Sequence, residues 1–333
     1  MPSSRVFSFS DTHRYQASVR GAEVQLFVTT KGAFCAELTQ INLHKLWMQR
    51  ACETLPRVMH SAVSKKRAPI VFLSHTNQAA MQHSGMEVPP GAIIVDGLGA
   101  VHHHRSWGPC HWGSMSLTPE DLAEAGRVIN GRELAVPSIT YLIRPAPSVM
   151  QRLLSLHESA ARLAKTAPDR LAQAEVARSF EQAMIHAMVR CLTDAPVDKR
   201  AATRQHGVTI ERLANLVQLN RDRPLYLAEI CAATGASEST LRRCCQEHLG
   251  MGPVRYLWLR RMSLARKALL RADPATATVT GIATGHGFWE LGRFSVAYRT
   301  LFGETPSASL RRPPDERCIA QRRPFDLPVT DFA

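Results

Sequence analysis

From about Tyr15 to Arg144, the chain consists of short runs in which roughly every second residue is apolar. This alternation is the pattern of a strand that buries one face. Because the runs lie about ten residues apart with turn-forming residues between them, they predict a small antiparallel β-barrel. Thr118 followed by Pro119 predicts the start of a short helix at 118–126 inside this region. The strand-like segments are 24–30, 35–43, 69–73 and 88–95.

After Pro147 the apolar residues recur three or four positions apart, which is helical spacing. Two such stretches meet at Ala167-Pro168 and predict a helical hairpin at 148–194. A hairpin of this kind often serves as a dimer face, and it equally often covers a barrel, so both interpretations stay open. The apolar positions are Val149, Leu153, Leu156, Ala160 and Leu163 in the first helix, and Leu171, Ala174, Phe180, Met184, Ala187 and Cys191 in the second.

The last third of the chain contains two helix-turn-helix patterns in tandem, at 227–243 and 279–299. In each, a short apolar helix is interrupted by a turn and followed by a longer helix with basic residues on one side. This arrangement lets one helix lie in the major groove of DNA while the other braces it against the backbone. A helix at 253–270 would act as a stiff spacer between the two units.

These patterns predict an α+β fold, in which a β-rich N-terminal barrel with a helical hairpin precedes an all-α domain with two helix-turn-helix units. Polar residues and a proline indicate a linker before the all-α domain, and a Pro- and Arg-rich stretch after it indicates a loose tail. The expected boundaries are 1–147 for the β-rich domain, 148–194 for the hairpin, 195–205 for the linker, 206–312 for the DNA-binding domain and 313–333 for the tail.

The first DNA-reading helix is expected to begin at Ser237, whose hydroxyl can cap it, while Gly235 supplies the turn. Leu241 should anchor this helix to its partner helix through Ile230. Arginines on a helix often form only a solvated face, which is the alternative interpretation. The candidate DNA-contacting residues on this helix are Ser237, Ser239, Arg242, Arg243 and Gln246.

The second unit repeats the first about 52 residues later, measured from Ile230 to Ile282. Only Arg293 and Arg299 are obvious hydrogen-bond donors to DNA on its reading helix, so we expect it to position the protein more than it specifies sequence. Its core stripe consists of Phe288, Phe294, Tyr298 and Phe302, and its candidate contacts are Leu291, Arg293, Val296 and Arg299.

Composition supports a polyanionic partner such as double-stranded DNA. The formal net charge is +13, and 17 of the 18 basic residues after position 205 are Arg, which can fork to guanine edges and phosphates. No apolar stretch approaches the roughly 18–20 residues that span a bilayer, and the first 15 residues are polar. The eight cysteines form no C-x-x-C pair, which favours reduced thiols. We therefore expect a cytoplasmic protein without a membrane segment or cofactor.

Residues 225–312 resemble the AraC/XylS family of bacterial transcription factors. The resemblance implies an N-terminal ligand-sensing and dimerisation domain, often cupin-like, a small-molecule effector, a possible homodimer, and RNA polymerase as a partner. It also implies base contacts from Ser239, Arg242, Arg243, Leu291, Gly292, Arg293 and Val296. The residues that carry it are Ile230 to Ser237, Leu241 to Arg243, Leu249-Gly250, Pro253 to Tyr256, Arg261, Ala265, Ile282-Ala283, Gly287-Phe288, Phe294, Tyr298 and Phe302 to Ser307.

The chain departs from the family pattern at two places. Cys245 stands where the family usually has a bulky Phe, and Leu291-Gly292 replaces residues that are typically polar. The stretch from Gly287 to Phe294 is also similar to regulators of ethanolamine-utilisation operons.

A histidine-rich run gives the best metal candidates in the sequence, although we predict no metal site. In a strand, His102 and His104 would share one side while His103 points to the other. No carboxylate follows at the interval that metal-binding cupins use, so an exposed polar strand end is the favoured interpretation. The weak candidate ligands are His102, His104, Cys110 and His111.

Three classes of function fit these observations. The leading one is a non-enzymatic, ligand-responsive regulator of transcription, with activation and repression both open. The second is a metal-bearing barrel enzyme fused to a DNA-binding module, which requires converging acid, base or metal ligands. The third is a constitutive DNA-binding protein whose N-terminal domain only dimerises.

Overall fold

The structure is a computed structural model that describes residues 2–194, 197–198, 207–220 and 222–312. The predicted α+β class is confirmed, because antiparallel sheets form the N-terminal part and helices form the C-terminal part. The strands are β1 (Ser3–Phe9), β2 (Ala22–Val28), β3 (Ala36–Asn42), β4 (Trp47–Glu53), β5 (Arg57–Val63), β6 (Ala68–Leu73), β7 (Met81–His83), β8 (Met86–Val88), β9 (Ile93–Val95), β10 (Val101–Arg105), β11 (Cys110–Leu117), β12 (Tyr141–Ile143) and β13 (Val197–Asp198).

The strands form two open sheets rather than one closed barrel. The larger sheet has the order β1-β3-β4-β11-β6-β9-β12-β13, and the smaller one has the order β2-β5-β10-β7-β8. Successive strands often belong to different sheets, so their spacing along the chain does not reveal their hydrogen-bond partners. Apolar side chains of both sheets, among them Leu26, Met59, Leu38 and Trp112, meet in one core.

Helices surround the sheets and form the whole C-terminal part. Among the described residues, none of them is long and apolar enough to cross a bilayer. The helices are α1 (Thr12–Ser18), α2 (Pro119–Asn130), α3 (Pro147–Thr166), α4 (Pro168–Ala172), α5 (Ala174–Thr193), α6 (Gly207–Leu219), α7 (Leu227–Thr234), α8 (Glu238–Leu249), α9 (Pro253–Arg271), α10 (Val279–Gly285), α11 (Leu291–Phe302) and α12 (Pro306–Arg311).

The predicted helical hairpin is α3 and α5, joined through the short α4. Its apolar face packs on the larger sheet, where Leu153 and Met184 share a core with Phe72 and Met115. The buried Glu181 carboxylate accepts hydrogen bonds from the Lys45 and Leu46 amides at 2.5 and 3.0 Å. The hairpin therefore covers the sheet, and a dimer face on it stays a prediction.

Several expected segments are shifted or lie outside the described residues. The helix predicted at 118–126 extends to Asn130, and Thr118 caps it by accepting a hydrogen bond from the Asp121 amide at 3.2 Å. Of the predicted linker at 195–205, only Val197–Asp198 is described, as strand β13 paired with β12. The predicted tail at 313–333 lies wholly outside the described residues.

The helical part shares its core with the sheets. Phe27 of β2 and Val58 of β5 pack in one cluster with Ile210 and Tyr256. Arg266 of α9 is buried and lies 3.2 Å from the Asp11 carboxylate, which also caps α1. The C-terminal helices are thus held against the β-rich part by apolar and ionic contacts, and the boundary expected at 206 stays a prediction.

Candidate nucleic-acid interface

The first helix-turn-helix unit has the local structure that its sequence predicts. Helix α7 ends at Thr234, and Gly235 adopts φ +67°, a left-handed conformation that glycine tolerates better than other residues. Ser237 caps α8 by accepting a hydrogen bond from the Thr240 amide at 3.2 Å. Leu241 and Ile230 are both buried in the core of the unit. These contacts hold α8 at a defined angle to α7.

The predicted contact residues at the start and along α8 are all exposed: Ser237, Ser239, Arg242, Arg243 and Gln246. Arg242 lies 3.2 Å from the carboxylate of Glu238 one turn earlier, and both side chains are more than half exposed. An exposed ion pair of this kind is worth about 0–1 kcal/mol, so it holds Arg242 only weakly. The guanidinium can therefore exchange Glu238 for a base edge or a phosphate.

The second unit is built around a ladder of aromatic rings. Phe288, Phe294, Tyr298 and Phe302 follow one another with ring centroids 4.9, 5.6 and 4.7 Å apart. Tyr298 also donates a hydrogen bond to the Ser309 hydroxyl at 2.7 Å, which joins α11 to α12. The predicted core stripe therefore fixes the orientation of α11.

The outward face of α11 carries fewer polar groups than that of α8. Arg293, Val296 and Arg299 are exposed, whereas Leu291 is half-buried against the core and presents only part of its side chain. Arg293 lies 2.8 Å from the Glu290 carboxylate. Trp289 was not among the predicted contacts, yet it is 78% exposed in the turn before α11. Its signal in the sequence is a large aromatic residue in the turn, outside the core stripe.

The spacer helix α9 contains a buried cation. Arg260 has no exposed surface, and its guanidinium donates hydrogen bonds to the backbone carbonyls of Asn220 and Arg223. These bonds hold the segment before α7 in place against α9. Cys245, at the position where a bulky Phe was expected, is fully buried in the same core. Burial raises the pKa of the Cys245 thiol to about 12, so the thiol is neutral.

The histidine-rich run lies in β10, and its expected exposure is wrong. His102, His103 and His104 are all buried, because β10 is an inner strand of the smaller sheet, between β5 and β7. His102 and His104 share one side, as predicted, and both face His83 with ring centroids 4.7 and 4.5 Å away. His103 points to the other side.

The remaining metal candidates lie apart from this cluster. Cys110 is buried in the core on β11, and burial raises the pKa of its thiol to about 12. His111 lies beside Cys52, with 3.7 Å between its Nε2 and the thiol sulfur, and 5.1 Å between its ring and that of His75. The four sequence candidates are therefore not one site.

A cavity of about 70 Å³ lies between the two sheets. Its polar wall includes Gln49, Arg57, Asp96, His104 and Ser114. Arg57 is buried and donates to the Glu53 carboxylate at 2.6 Å, while its Nη1 has no hydrogen-bond partner among the described residues. A ligand oxygen in the cavity could accept that hydrogen bond. A cavity of this size is well below the roughly 300–1,000 Å³ that encloses a drug-sized molecule.

The end of the reading helix α8 packs directly on the smaller sheet. Gln82 of β7 donates a hydrogen bond to the Glu247 carbonyl at 3.0 Å. His103 of β10 lies 5.5 Å from His248, measured between ring centroids. The Arg105 guanidinium occupies the space where a Cβ on Gly250 would be. Strands β7 and β10 therefore contact α8 on one face and the inter-sheet space on the other.

A buried hydrogen bond makes a further link between the two parts. The Tyr256 hydroxyl of α9 and His60 Nε2 of β5 are 2.6 Å apart. Burial, with a smaller contribution from Arg260, lowers the pKa of His60 to about 3, so its ring is neutral. The neutral ring can accept a hydrogen bond from the Tyr256 hydroxyl at Nε2.

Comparisons with known proteins find sequence similarity to regulators of transcription. A family model described as a helix-turn-helix domain matches residues 230–312. A protein of Rhodococcus erythropolis named as a thc operon regulatory protein is 42% identical over 106 residues, which are 32% of this chain and 32% of that protein. The XylDLEGF operon transcriptional activator of Pseudomonas putida is 31% identical over 104 residues, which are 31% of this chain and 32% of that protein.

The matches to these two relatives span about a third of each relative's length. The crystal structure of the AraC-like transcriptional activator CuxR aligns with 79% of this chain and 96% of its own, at 16% identity and a TM-score of 0.40. None of these three proteins bears on the likeness to ethanolamine-operon regulators, which stays a prediction. The C-terminal part of this chain, residues 230–312, is a helix-turn-helix domain.

Proposed function

We propose that the chain is a transcriptional regulator that binds double-stranded DNA through α8 and α11 and responds to a small effector in its β-rich part. The observation that carries the proposal is the pair of helix-turn-helix units on one spacer helix, each with an exposed face bearing arginines. Two relatives support it by their names: the Rhodococcus protein is an operon regulatory protein and the Pseudomonas protein is an operon activator. A cytoplasmic location, homodimerisation and contact with RNA polymerase belong to the same proposal, in which the chain is not an enzyme.

In this proposal the two reading helices have different roles. Helix α8 presents Ser239, Arg242, Arg243 and Gln246, all able to hydrogen-bond to base edges, so it specifies sequence. Helix α11 presents the apolar Val296 between its arginines, so it mainly positions the protein on the backbone.

Selection from random DNA duplexes with the full-length chain tests the proposal. A regulator of this type should enrich one sequence motif, with the larger penalties for base changes beneath α8. If no motif is enriched over several rounds, sequence-specific binding is ruled out. If the larger penalties fall beneath α11, the division of roles between the helices is wrong.

Replacing Arg242 with Ala is expected to weaken binding to the selected motif by about 1–3 kcal/mol and to relax its sequence preference. The reason is the loss of one bidentate contact to a base. Fluorescence anisotropy with motif and scrambled duplexes measures both effects. Arg178→Ala, an exposed arginine on α5, is the matched control and should bind like the wild type. Equal losses on both duplexes for Arg242→Ala would instead make Arg242 a phosphate contact.

Replacing Arg299 with Ala is expected to lower affinity for all duplexes alike. A lost phosphate contact reduces the slope of log affinity against log salt by about 0.9. Titrations of the same duplexes at several salt concentrations give this slope for wild type and variant. A slope that does not change, or a loss confined to the motif, would contradict the positioning role of Arg299.

The cavity between the sheets supports the effector part of the proposal. A small ligand that accepts a hydrogen bond from Arg57 would lie on the side of the smaller sheet opposite to α8. Because β7 and β10 contact both the inter-sheet space and the end of α8, ligand binding can alter how α8 is held.

Thermal shift with small carboxylic acids, amines and amino acids tests for an effector. A ligand that raises the melting temperature should also change motif affinity, and Val71→Phe, which fills the cavity wall, should abolish both effects while DNA binding persists. Val208→Phe, at an exposed position, is the control. Specific DNA binding that no ligand changes would favour the constitutive DNA-binding alternative.

A further inference from the structure

Three buried side chains converge between the two sheets, two from the smaller sheet and one that follows a strand of the larger sheet. They are His83 at the end of β7, Asp96 directly after β9, and His102 of β10, all at most 4% exposed. One ligand atom from each of the three lies within 4.8 Å of the others. We propose that these three residues form a binding site for a divalent transition-metal cation, with Zn²⁺ as the representative ion.

The distances within this group fit a shared cation. The Asp96 Oδ1 atom is 3.3 Å from His83 Nε2 and 3.1 Å from His102 Nε2. Nitrogen and oxygen ligands lie about 2.0–2.2 Å from Zn²⁺, so two ligands of one tetrahedral ion are about 3.3–3.6 Å apart, close to the separations seen here. Two imidazoles and one carboxylate form the donor set that Zn²⁺ and Fe²⁺ commonly take in proteins.

The surrounding residues hold the three ligands in place. The Thr140 hydroxyl donates a hydrogen bond to Asp96 Oδ1 at 3.1 Å. His83 Nδ1 faces His104 Nδ1 at 3.2 Å, and His104 Nε2 faces the Ser61 hydroxyl at 3.2 Å. With His83 Nε2 bound to the metal, the His83 Nδ1–H group can donate a hydrogen bond to His104 Nδ1. The His104 Nε2–H group can then donate to the Ser61 hydroxyl. Such outer partners fix the orientation of metal-bound histidines.

The site opens on the cavity between the sheets, since Asp96 and the neighbouring His104 are part of its wall. Three protein ligands leave at least one coordination position free, which is typical of zinc sites that bind water or an exchangeable ligand. The cavity has room for water or a small oxygen donor at that position. This inference does not depend on the DNA-binding function proposed above.

Hydrogen bonds alone offer a different explanation of the same cluster. If both imidazoles carry a proton on Nε2, Asp96 accepts from His83, His102 and Thr140, and no cation is needed. The two explanations differ in one measurable respect, because only a metal site takes up an ion.

Titration of the full-length protein with Zn²⁺ after removal of metals with a chelator tests the proposal. Isothermal calorimetry should give one tight ion per chain. Cobalt titration followed by absorption spectroscopy identifies the donors, and a spectrum without a thiolate charge-transfer band is expected. A tight ion with such a band, or no tight ion at all, would overturn the site.

Variants locate the ion within the chain. Asp96→Asn keeps the shape of the side chain and should weaken Zn²⁺ binding at least about 100-fold. Thr140→Val, which removes the hydroxyl that donates to Asp96, should weaken it about 10–100-fold. His111→Gln is the matched control, since His111 lies beside Cys52 in the other Cys/His group, and it should bind like the wild type. Circular dichroism confirms that each variant is folded, and His102→Gln replaces Asp96→Asn if that variant is not. Full binding in the ligand variant, or loss in His111→Gln, would contradict the assignment.

Discussion

Replacing Glu53 with Ala is expected to destabilise the chain by about 3–5 kcal/mol, because it leaves the Arg57 guanidinium buried without its counter-charge. Glu53 is fully buried and accepts hydrogen bonds from Arg57 Nε at 2.6 Å, Tyr15 Oη at 2.5 Å and Trp112 Nε1 at 2.9 Å. One carboxylate thus satisfies three donors from different elements. Chemical denaturation of wild type and variant measures the loss of unfolding free energy.

Glu124→Ala is the matched control for this prediction. Glu124 pairs with Lys45 at 2.8 Å, but both side chains are at least half exposed. Its removal should change the unfolding free energy by less than about 1 kcal/mol. Comparable losses of unfolding free energy in the two variants would show that burial does not determine how much the Glu53–Arg57 pair stabilises the chain.

The Glu53 group also bears on the proposed effector site. Arg57 lines the cavity between the sheets, and its Nη1 nitrogen has no hydrogen-bond partner in the described part of the chain. Glu53 neutralises the charge of Arg57 and leaves Nη1 available to donate to a ligand oxygen. The cavity therefore favours a ligand with a hydrogen-bond acceptor. Because β7 and β10 also contact α8, a ligand in the proposed site would act on the position of α8 through these two strands.

Local chemistry explains why the helix-turn-helix units could be predicted from the sequence. The turn glycine Gly235, the cap Ser237 and the pair Ile230 and Leu241 act within one short segment, so their order along the chain determines the structure. The aromatic stripe of α11 is equally local. Which of the exposed residues contact DNA is not determined by this local structure, and those contacts stay predictions.

Long-range pairing explains what the sequence did not predict. Strand β1 and helix α1 were missed, and two open sheets stand where a closed barrel was expected. The histidine cluster depends on the register of β10 with β7, which pairs His104 with His83. A search for a carboxylate after the histidines could not find Asp96, which precedes them and reaches them through the fold.

Acidification is expected to destabilise the protein by roughly 5 kcal/mol between pH 7.5 and 4.5. Burial lowers the pKa of His60 and of His157 to about 3 each, from an ordinary value of 6.5. Below pH 6.5 these two histidines are protonated in the unfolded chain but stay neutral in the folded chain. Stability therefore falls by about 1.4 kcal/mol per pH unit for each histidine, down to about pH 3. Burial lowers the pKa of His83, His103 and His104 in the same direction.

Chemical denaturation across this pH range measures the effect, and single variants assign it. His157 accepts from Arg50 and donates to the Gln49 carbonyl, with distances of 3.3 and 3.1 Å. His157→Gln should reduce the number of protons taken up on unfolding by one and flatten the pH dependence accordingly. His44→Gln, at an exposed position, should leave it unchanged. If the slope of unfolding free energy against pH below 6.5 is the same in His157→Gln as in the wild type, His157 is not held neutral in the folded protein.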